Sequence, residues 1–318
     1  MVKFFLKILI IIIFASCIKK NEKEGKRNDL GSASLTILGT IQDAGSPHIG
    51  CQKQCCKNLD ESQKNLRKVV SLALTDNETN QNFLIEATPD ITFQLNTNKL
   101  FSDNENHLKI DGIFITHAHI GHYSGLMYLG KEAINSNKVK VFALPKMKSF
   151  LEKNGPWSQL IKLQNIHIEN LIFDSTITIS KNLKITALKV PHRDEYSETA
   201  GFLIEGNIKK ALFIPDIDKW EKWNRNIKEL IKKVDYAFID GTFYSEKELK
   251  NRNISEIPHP LISESIKLFD NLTLEQKNKI YFIHFNHTNP VLDKSSNEYK
   301  IVLKNGFNIS HINSNFGL

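Results

Sequence analysis

Gly112-Ile113-Phe114-Ile115-Thr116 runs without a break into His117-Ala118-His119-Ile120-Gly121-His122, and on through Tyr123-Ser124-Gly125-Leu126. The first five residues have the β-branched and aromatic character of a strand. Three histidines then fall within six residues, where the strand gives way to a helical pattern. A lone histidine is more often a hydrogen-bonded polar side chain than a ligand. A tight turn lets alternate side chains converge on one point, and neutral imidazole suits borderline metals such as zinc. The cluster therefore predicts that His117, His119 and His122 hold a metal ion.

Outward from this segment, apolar runs bounded by turn residues predict strands at 35–40, 69–74, 83–87, 112–116 and 139–144, then at 183–190, 201–205, 210–214, 236–240 and 280–284. Helical patterns lie between them at 123–136, 147–154, 219–233, 259–269 and 294–304. Strand-rich blocks separated by helices in both halves predict an α/β fold of mixed sheets covered by helices. With 318 residues, 41% of them hydrophobic, the chain can bury a sizeable core. There is no internal repeat and no second linker, so residues 34–318 read as one domain. The formal charge of +7 comes from scattered lysines without a dense basic block, so no nucleic-acid partner is expected.

Residues 1–17 form a basic start, an apolar run and a small pair, Ala15-Ser16, before Cys17. This is the pattern of a secretory signal, and the apolar run is too short for a spanning helix of about 20 residues. The small pair before the cysteine resembles the bacterial lipobox, which implies a lipid anchor at Cys17; a plain signal peptide or a poor anchor helix is the blander alternative. Residues 18–33 are rich in Lys, Asn, Glu, Gly and Ser and read as a flexible tether. The expectation is an exported lipoprotein. Ile18, where an aspartate would favour inner-membrane retention, points to the outer membrane.

Three further cysteines, Cys51, Cys55 and Cys56, follow the first strand. Three thiolates and one imidazole complete a tetrahedral structural zinc site, with His48 as a nearby candidate; free or disulfide-paired cysteines are the alternative.

The His117 to His122 block resembles the His-x-His-x-Asp-His signature of the metallo-β-lactamase superfamily, with Gly121 standing where that family carries a second-site aspartate. The resemblance implies a four-layer αββα fold, two mixed sheets sandwiched between helices. It assigns the third first-site histidine to His192 after the strand ending Val190, the bridging aspartate to Asp216, and the last second-site histidine to His284. The cysteines resemble a cysteine-rich loop in the superfamily's bacterial cyclic-phosphodiesterase branch, where His287 takes the place of the fourth ligand. Leu38-Gly39-Thr40, Asp240-Gly241-Thr242-Phe243-Tyr244 and His284-Phe285-Asn286-His287-Thr288-Asn289-Pro290 resemble the coenzyme PQQ synthesis protein B family, a likeness running from about residue 34 to 290. That family has generally lost the leading histidines, which are present here.

In related hydrolases a histidine from the region of His259 donates to a developing oxyanion, which makes His259 and Asp216 the candidate catalytic residues; an exposed loop histidine is the alternative for His259. Asp43, Asp194 and Glu195 also flank the expected cleft, and any of them could replace the missing aspartate. The cofactors expected are one or two catalytic ions, zinc first with iron or manganese as substitutes, and a structural zinc. Water acidified by such an ion would attack an ester, with phosphodiesters ahead of lactones. The rival readings are an oxygenase or accessory factor like the quinone-synthesis relatives, and a non-catalytic ligand-binding lipoprotein.

Overall fold

The computed structural model describes residues 30–97, 101–102, 108–193, 195–249 and 257–318. The signal segment with Cys17, most of the tether, and Asp194 lie outside the described residues. Among the described residues, fourteen strands build two sheets. The first sheet holds β1 (Ala33–Gly39), β2 (Ser71–Asp76), β3 (Gln81–Ile85), β4 (Gly112–Phe114), β5 (Val139–Ala143) and β6 (Ile166–Asn170). The second holds β7 (Thr176–Thr178), β8 (Lys184–Lys189), β9 (Ala200–Glu205), β10 (Lys210–Ile214), β11 (Tyr236–Asp240), β12 (Ile280–Ile283) and β13 (Asn308–Ile309), while the last strand, β14 (Asn315–Gly317), returns to the edge of the first. The orders are β14-β1-β2-β3-β4-β5-β6 and β13-β12-β11-β10-β9-β8-β7. In each sheet an antiparallel meander passes into parallel strands, at β3 with β4 and at β10 with β11.

Strand alternation places three apolar layers. Leu72 and Leu74 of β2 face inward with Phe114, Phe202, Phe213 and Phe238, filling the space between the sheets. Ala73, Ile113, Val141 and Ile166 face outward against Met147, Leu151 and Leu160 of the helices Pro145–Lys153 and Trp157–Lys162. Leu212, Ile214, Ala237 and Ile239 face outward on the other sheet, against Trp220, Ile227, Ile231 and Phe269. Both faces of both sheets are thus covered, which is why the central strands read as unbroken apolar runs. This is the expected αββα sandwich.

Two predicted helices are shortened. The pattern at 123–136 gives only a helical turn at Ile120–Tyr123 and a 3₁₀ segment at Ser124–Leu129, because its backbone bonds elsewhere: Ala87 N–H donates to His122 O and Gly125 N–H to Ala87 O, both at 2.9 Å. The pattern at 219–233 divides into Trp220–Lys222 and Ile227–Lys232. Trp223 Nε1 turns aside to Lys189 O at 2.7 Å, and Asn226 caps the second piece through Lys228 N–H. Strands β6, β7, β13 and β14 were not anticipated, and the tether ends earlier than expected, since buried Ala33 already pairs in β1. Far from the histidines, Asp76 ties the two sheets together. It accepts N–H bonds from Glu78 and Thr79, both at 3.1 Å, and from the backbone and side chain of Asn182, both at 3.0 Å. Burial alone would raise its pKa; these donors, led by the Asn182 side chain, outweigh burial and hold it at about 2.

Candidate metal centre

Strands β8, β10, β11 and β12 run in one direction, and their carboxyl ends open at the same edge as that of β4. His117 follows β4, His192 follows β8, Asp216 follows β10, Asp240 ends β11 and His284 follows β12. Short strand-end turns thus converge side chains that are far apart in sequence.

His117, His119, His192 and Asp216 place one donor atom each within 4.8 Å of the others. His117 Nε2 lies 2.8 Å from His119 Nδ1 and 3.3 Å from Asp216 Oδ2. His192 Nε2 lies 3.3 Å from His119 Nδ1 and 3.2 Å from Asp216 Oδ2. His119 Nδ1 is 3.9 Å from the same oxygen. Four donors at the zinc-ligand distance on a tetrahedron stand roughly 3.4 Å apart, and these separations scatter around that value. A second group joins Asp43, His122 and His284 to Asp216. His122 Nε2 is 2.8 Å from Asp43 Oδ1, while His122 Nε2 and His284 Nε2 are 3.9 and 4.0 Å from Asp216 Oδ2. Asp216 Oδ2 is the shared vertex of both groups.

Four of the five remaining ring nitrogens are held from outside, while His122 Nδ1 faces Glu86 without a hydrogen bond. Thr116 Oγ1 meets His117 Nδ1 at 2.9 Å, Asp218 Oδ1 meets His192 Nδ1 at 3.2 Å, and Thr242 Oγ1 meets His284 Nδ1 at 2.9 Å. Glu86 Oε1 lies 3.4 Å from His122 Nδ1, and Glu195 Oε2 lies 3.5 Å from His119 Nε2. Such partners orient an imidazole so that its other nitrogen faces an ion. Glu86 and His284 both have left-handed backbones, φ 72° and 67°, a cost of the order of 1 kcal/mol each that sites built for function retain.

Electrostatics agree with a cation between the groups. Burial, and then the charge of His122, push His117 well below the usual histidine range, so its imidazole is neutral. Asp216 stays ionised despite burial, because His192 and His259 surround it. Burial lowers His192, but the Asp216 carboxylate more than reverses this and lifts it to about 9. His122 Nε2 is buried without a hydrogen bond; a group like this calls for a partner that the chain does not supply. Buried imidazoles and an anionic bridging oxygen fit a divalent metal ion.

His259 sits behind Asp216, not in a surface loop. Its Nδ1 is 3.1 Å from Asp216 Oδ1 and 2.9 Å from Asp240 Oδ2. Asp240 is further held by Thr242 N–H and Oγ1 at 2.8 and 2.7 Å. The bracing residues Thr116, Glu86, Asp218, Asp240 and Thr242 were missed as site residues by the sequence reading. Two of them, Thr116 and Asp218, had a local signal, lying one and two positions from a ligand candidate.

Cys51, Cys55, Cys56 and His287 form a separate group. Cys55 Sγ is 4.0 Å from Cys56 Sγ; His287 Nδ1 is 3.9 Å from Cys55 Sγ and 3.3 Å from Cys56 Sγ. A zinc tetrahedron with three sulfurs gives edges of roughly 3.5 to 3.8 Å. The three cysteines are free thiols. Burial, followed by the neighbouring Cys56, pushes the Cys55 thiol up to about 12, so a cation would be needed to hold this thiol as a thiolate. His48, a candidate ligand from sequence, lies outside the group: its ring stacks on His287 with centroids 4.5 Å apart, and its N–H donates to Cys56 Sγ at 3.4 Å.

The family profile described as Beta-lactamase superfamily domain matches residues 81–285. Coenzyme PQQ synthesis protein B of Methylorubrum extorquens (strain PA1) is 20% identical over 298 residues, covering 87% of this chain and 97% of that protein. The zinc-bound crystal structure of PqqB from Methylobacterium extorquens superposes with a TM-score of 0.76 at 21% identity, covering 90% of this chain and all (100%) of that one. A diphosphatase from the PhnP family superposes with a TM-score of 0.61 at 20% identity, covering 89% and 96%.

Proposed function

This chain belongs to the beta-lactamase superfamily, and on that footing we propose that it is a metal-dependent hydrolase of ester bonds, with phosphodiesters as the preferred class. The observation that carries this reading is Asp216 Oδ2, one buried oxygen within 4.0 Å of His117, His119, His192, His122 and His284. A pair of divalent ions held by these residues would supply Lewis acidity towards a phosphoryl oxygen and would acidify water. The protein's part is to hold the donor atoms rigid: Thr116, Asp218 and Thr242 fix three imidazoles, and His259 with Asp240 fixes the bridging carboxylate. His259, charged because Asp240 and Asp216 outweigh its burial, keeps Asp216 anionic; a ring nitrogen facing the cleft would serve as its proton donor to a developing oxyanion. Phosphodiesters rank ahead of lactones because the Cys51, Cys55, Cys56 and His287 group accompanies the likeness to a PhnP-family diphosphatase.

The test is a panel of phosphodiester, phosphonate and lactone substrates given to the zinc- and manganese-loaded protein. Turnover of phosphodiesters is the expected result, and a panel with no turnover sinks the hydrolase. A second reading, an oxygenase or accessory factor of quinone synthesis, is favoured by the likeness to PQQ synthesis protein B along 97% of that protein. Oxygen uptake by the iron-loaded protein with a tyrosine-containing peptide, beside a silent panel, would select it.

An exported lipoprotein anchored through Cys17 remains part of the proposal, resting on Ala15-Ser16-Cys17. Radiolabelled palmitate should enter the wild type and not Cys17→Ser; equal labelling of both removes the anchor. Among the described residues no helix is long and apolar enough to cross a membrane.

A further inference from the structure

We infer that Asp43 is a ligand of the second ion, delivered into the site by the strand-end loop after β1 through space that only a glycine at position 121 leaves open. The inference rests on the paired-ion reading above. Asp43 Oδ1 lies 2.8 Å from His122 Nε2 and 3.5 Å from His284 Nε2. At 2.8 Å the His122 contact would be a strong hydrogen bond if it were aligned, yet His122 Nε2 is left without a hydrogen-bond partner. Donor atoms this close that do not point at one another are arranged as ligands around a common third point.

Two features deliver it there. Phe285 N–H donates to Thr40 O at 2.8 Å and Gln42 N–H to Phe285 O at 2.9 Å, so the chain leaving β1 pairs with the residue after His284. Ile41 also bridges in parallel to both Val69 and Phe285, crossing from one sheet to the other. Asp43 follows two residues later, beside His284. On the opposite side, a Cβ at Gly121 would come 2.4 Å from Asp43 Cα and 2.5 Å from Asp43 Oδ1. These contacts are shorter than any real side chain tolerates, so Asp43 and a side chain at 121 exclude each other. The same collision shows that a side chain leaving position 121 points to where the Asp43 carboxylate is. With residue 43 in this position, only Asp43 can supply the carboxylate there.

The experiment reads metal and not turnover. The full chain is loaded with cadmium, and its NMR spectrum separates thiolate-bound ions from ions bound by nitrogen and oxygen. Wild type is expected to show two nitrogen/oxygen-bound signals; Asp43→Ala and the isosteric Asp43→Asn are each expected to lose one and keep the other. Gly121→Ala, whose Cβ would come 2.4 Å from the backbone Cα of Asp43, is expected to displace the loop and lower the Tm. Two signals retained in both Asp43 variants, with wild-type Tm, overturn the role of Asp43. A single nitrogen/oxygen-bound signal in the wild type overturns the paired-ion reading itself, so the two failures are distinguishable.

Discussion

Asp216→Ala loses the ions of both donor groups together, whereas His117→Ala empties only the first. The reason is geometric, since Oδ2 of Asp216 is the single atom common to the two groups. Removing it takes the only anionic ligand from the first group and one of the two carboxylates from the second. Metal polarisation of a reacting phosphoryl group contributes several kcal/mol to the transition state, so kcat/KM on a phosphodiester should fall by roughly a thousandfold or more. Elemental analysis of the two variants beside the wild type is the check. Retention of a full metal complement by Asp216→Ala would show that the groups do not share that oxygen.

Cys56→Ser lowers the Tm of the zinc-loaded protein. Cys56 is the buried member of the thiolate group, accepts the His48 N–H, and lies 3.3 Å from His287 Nδ1. An ion held there at a hundred times its Kd contributes about 2.7 kcal/mol, and at roughly 2 to 4 °C per kcal/mol for a chain of this size the loss is about 5 to 11 °C. The group joins the segment after β1 to the segment after β12, so an ion held there would staple the loop that carries Asp43. Calorimetry of loaded and chelated forms separates the contributions. The loaded proteins should differ by the full amount, and the chelated forms should melt within a degree or two of one another. Equal melting of the loaded forms would dismiss the cysteines as a metal site.

What could be read in the sequence, and what could not, divides along a physical line. Strand positions were legible where strands are buried on both faces, as in β10 and β11, because a continuous apolar run needs no partner to be recognised. The edge strands β6, β7, β13 and β14 went unread, since short half-exposed segments become strands through neighbours distant in the chain. Residues 123–136 carry helical periodicity, but backbone bonds to Ala87 divert that segment from a continuous helix.

The site divides in the same way. The sequence by itself determined that the chain carries a histidine cluster at a strand end, because His117, His119 and His122 lie within one turn and announce themselves locally. Resemblance extended that cluster to His192, Asp216 and His284, and the structure brings all six together. Only the tertiary structure decided what stands beside Gly121. Asp43 and His284 are 241 residues apart in the chain, and no local pattern distinguishes Asp43 from Glu195, which instead meets the outer face of His119. The crossing of the chain at Ile41 and the empty Cβ position of Gly121 select it. A ligand set converges through backbone pairing between sheets, and such pairing leaves no periodic trace in the residues it joins.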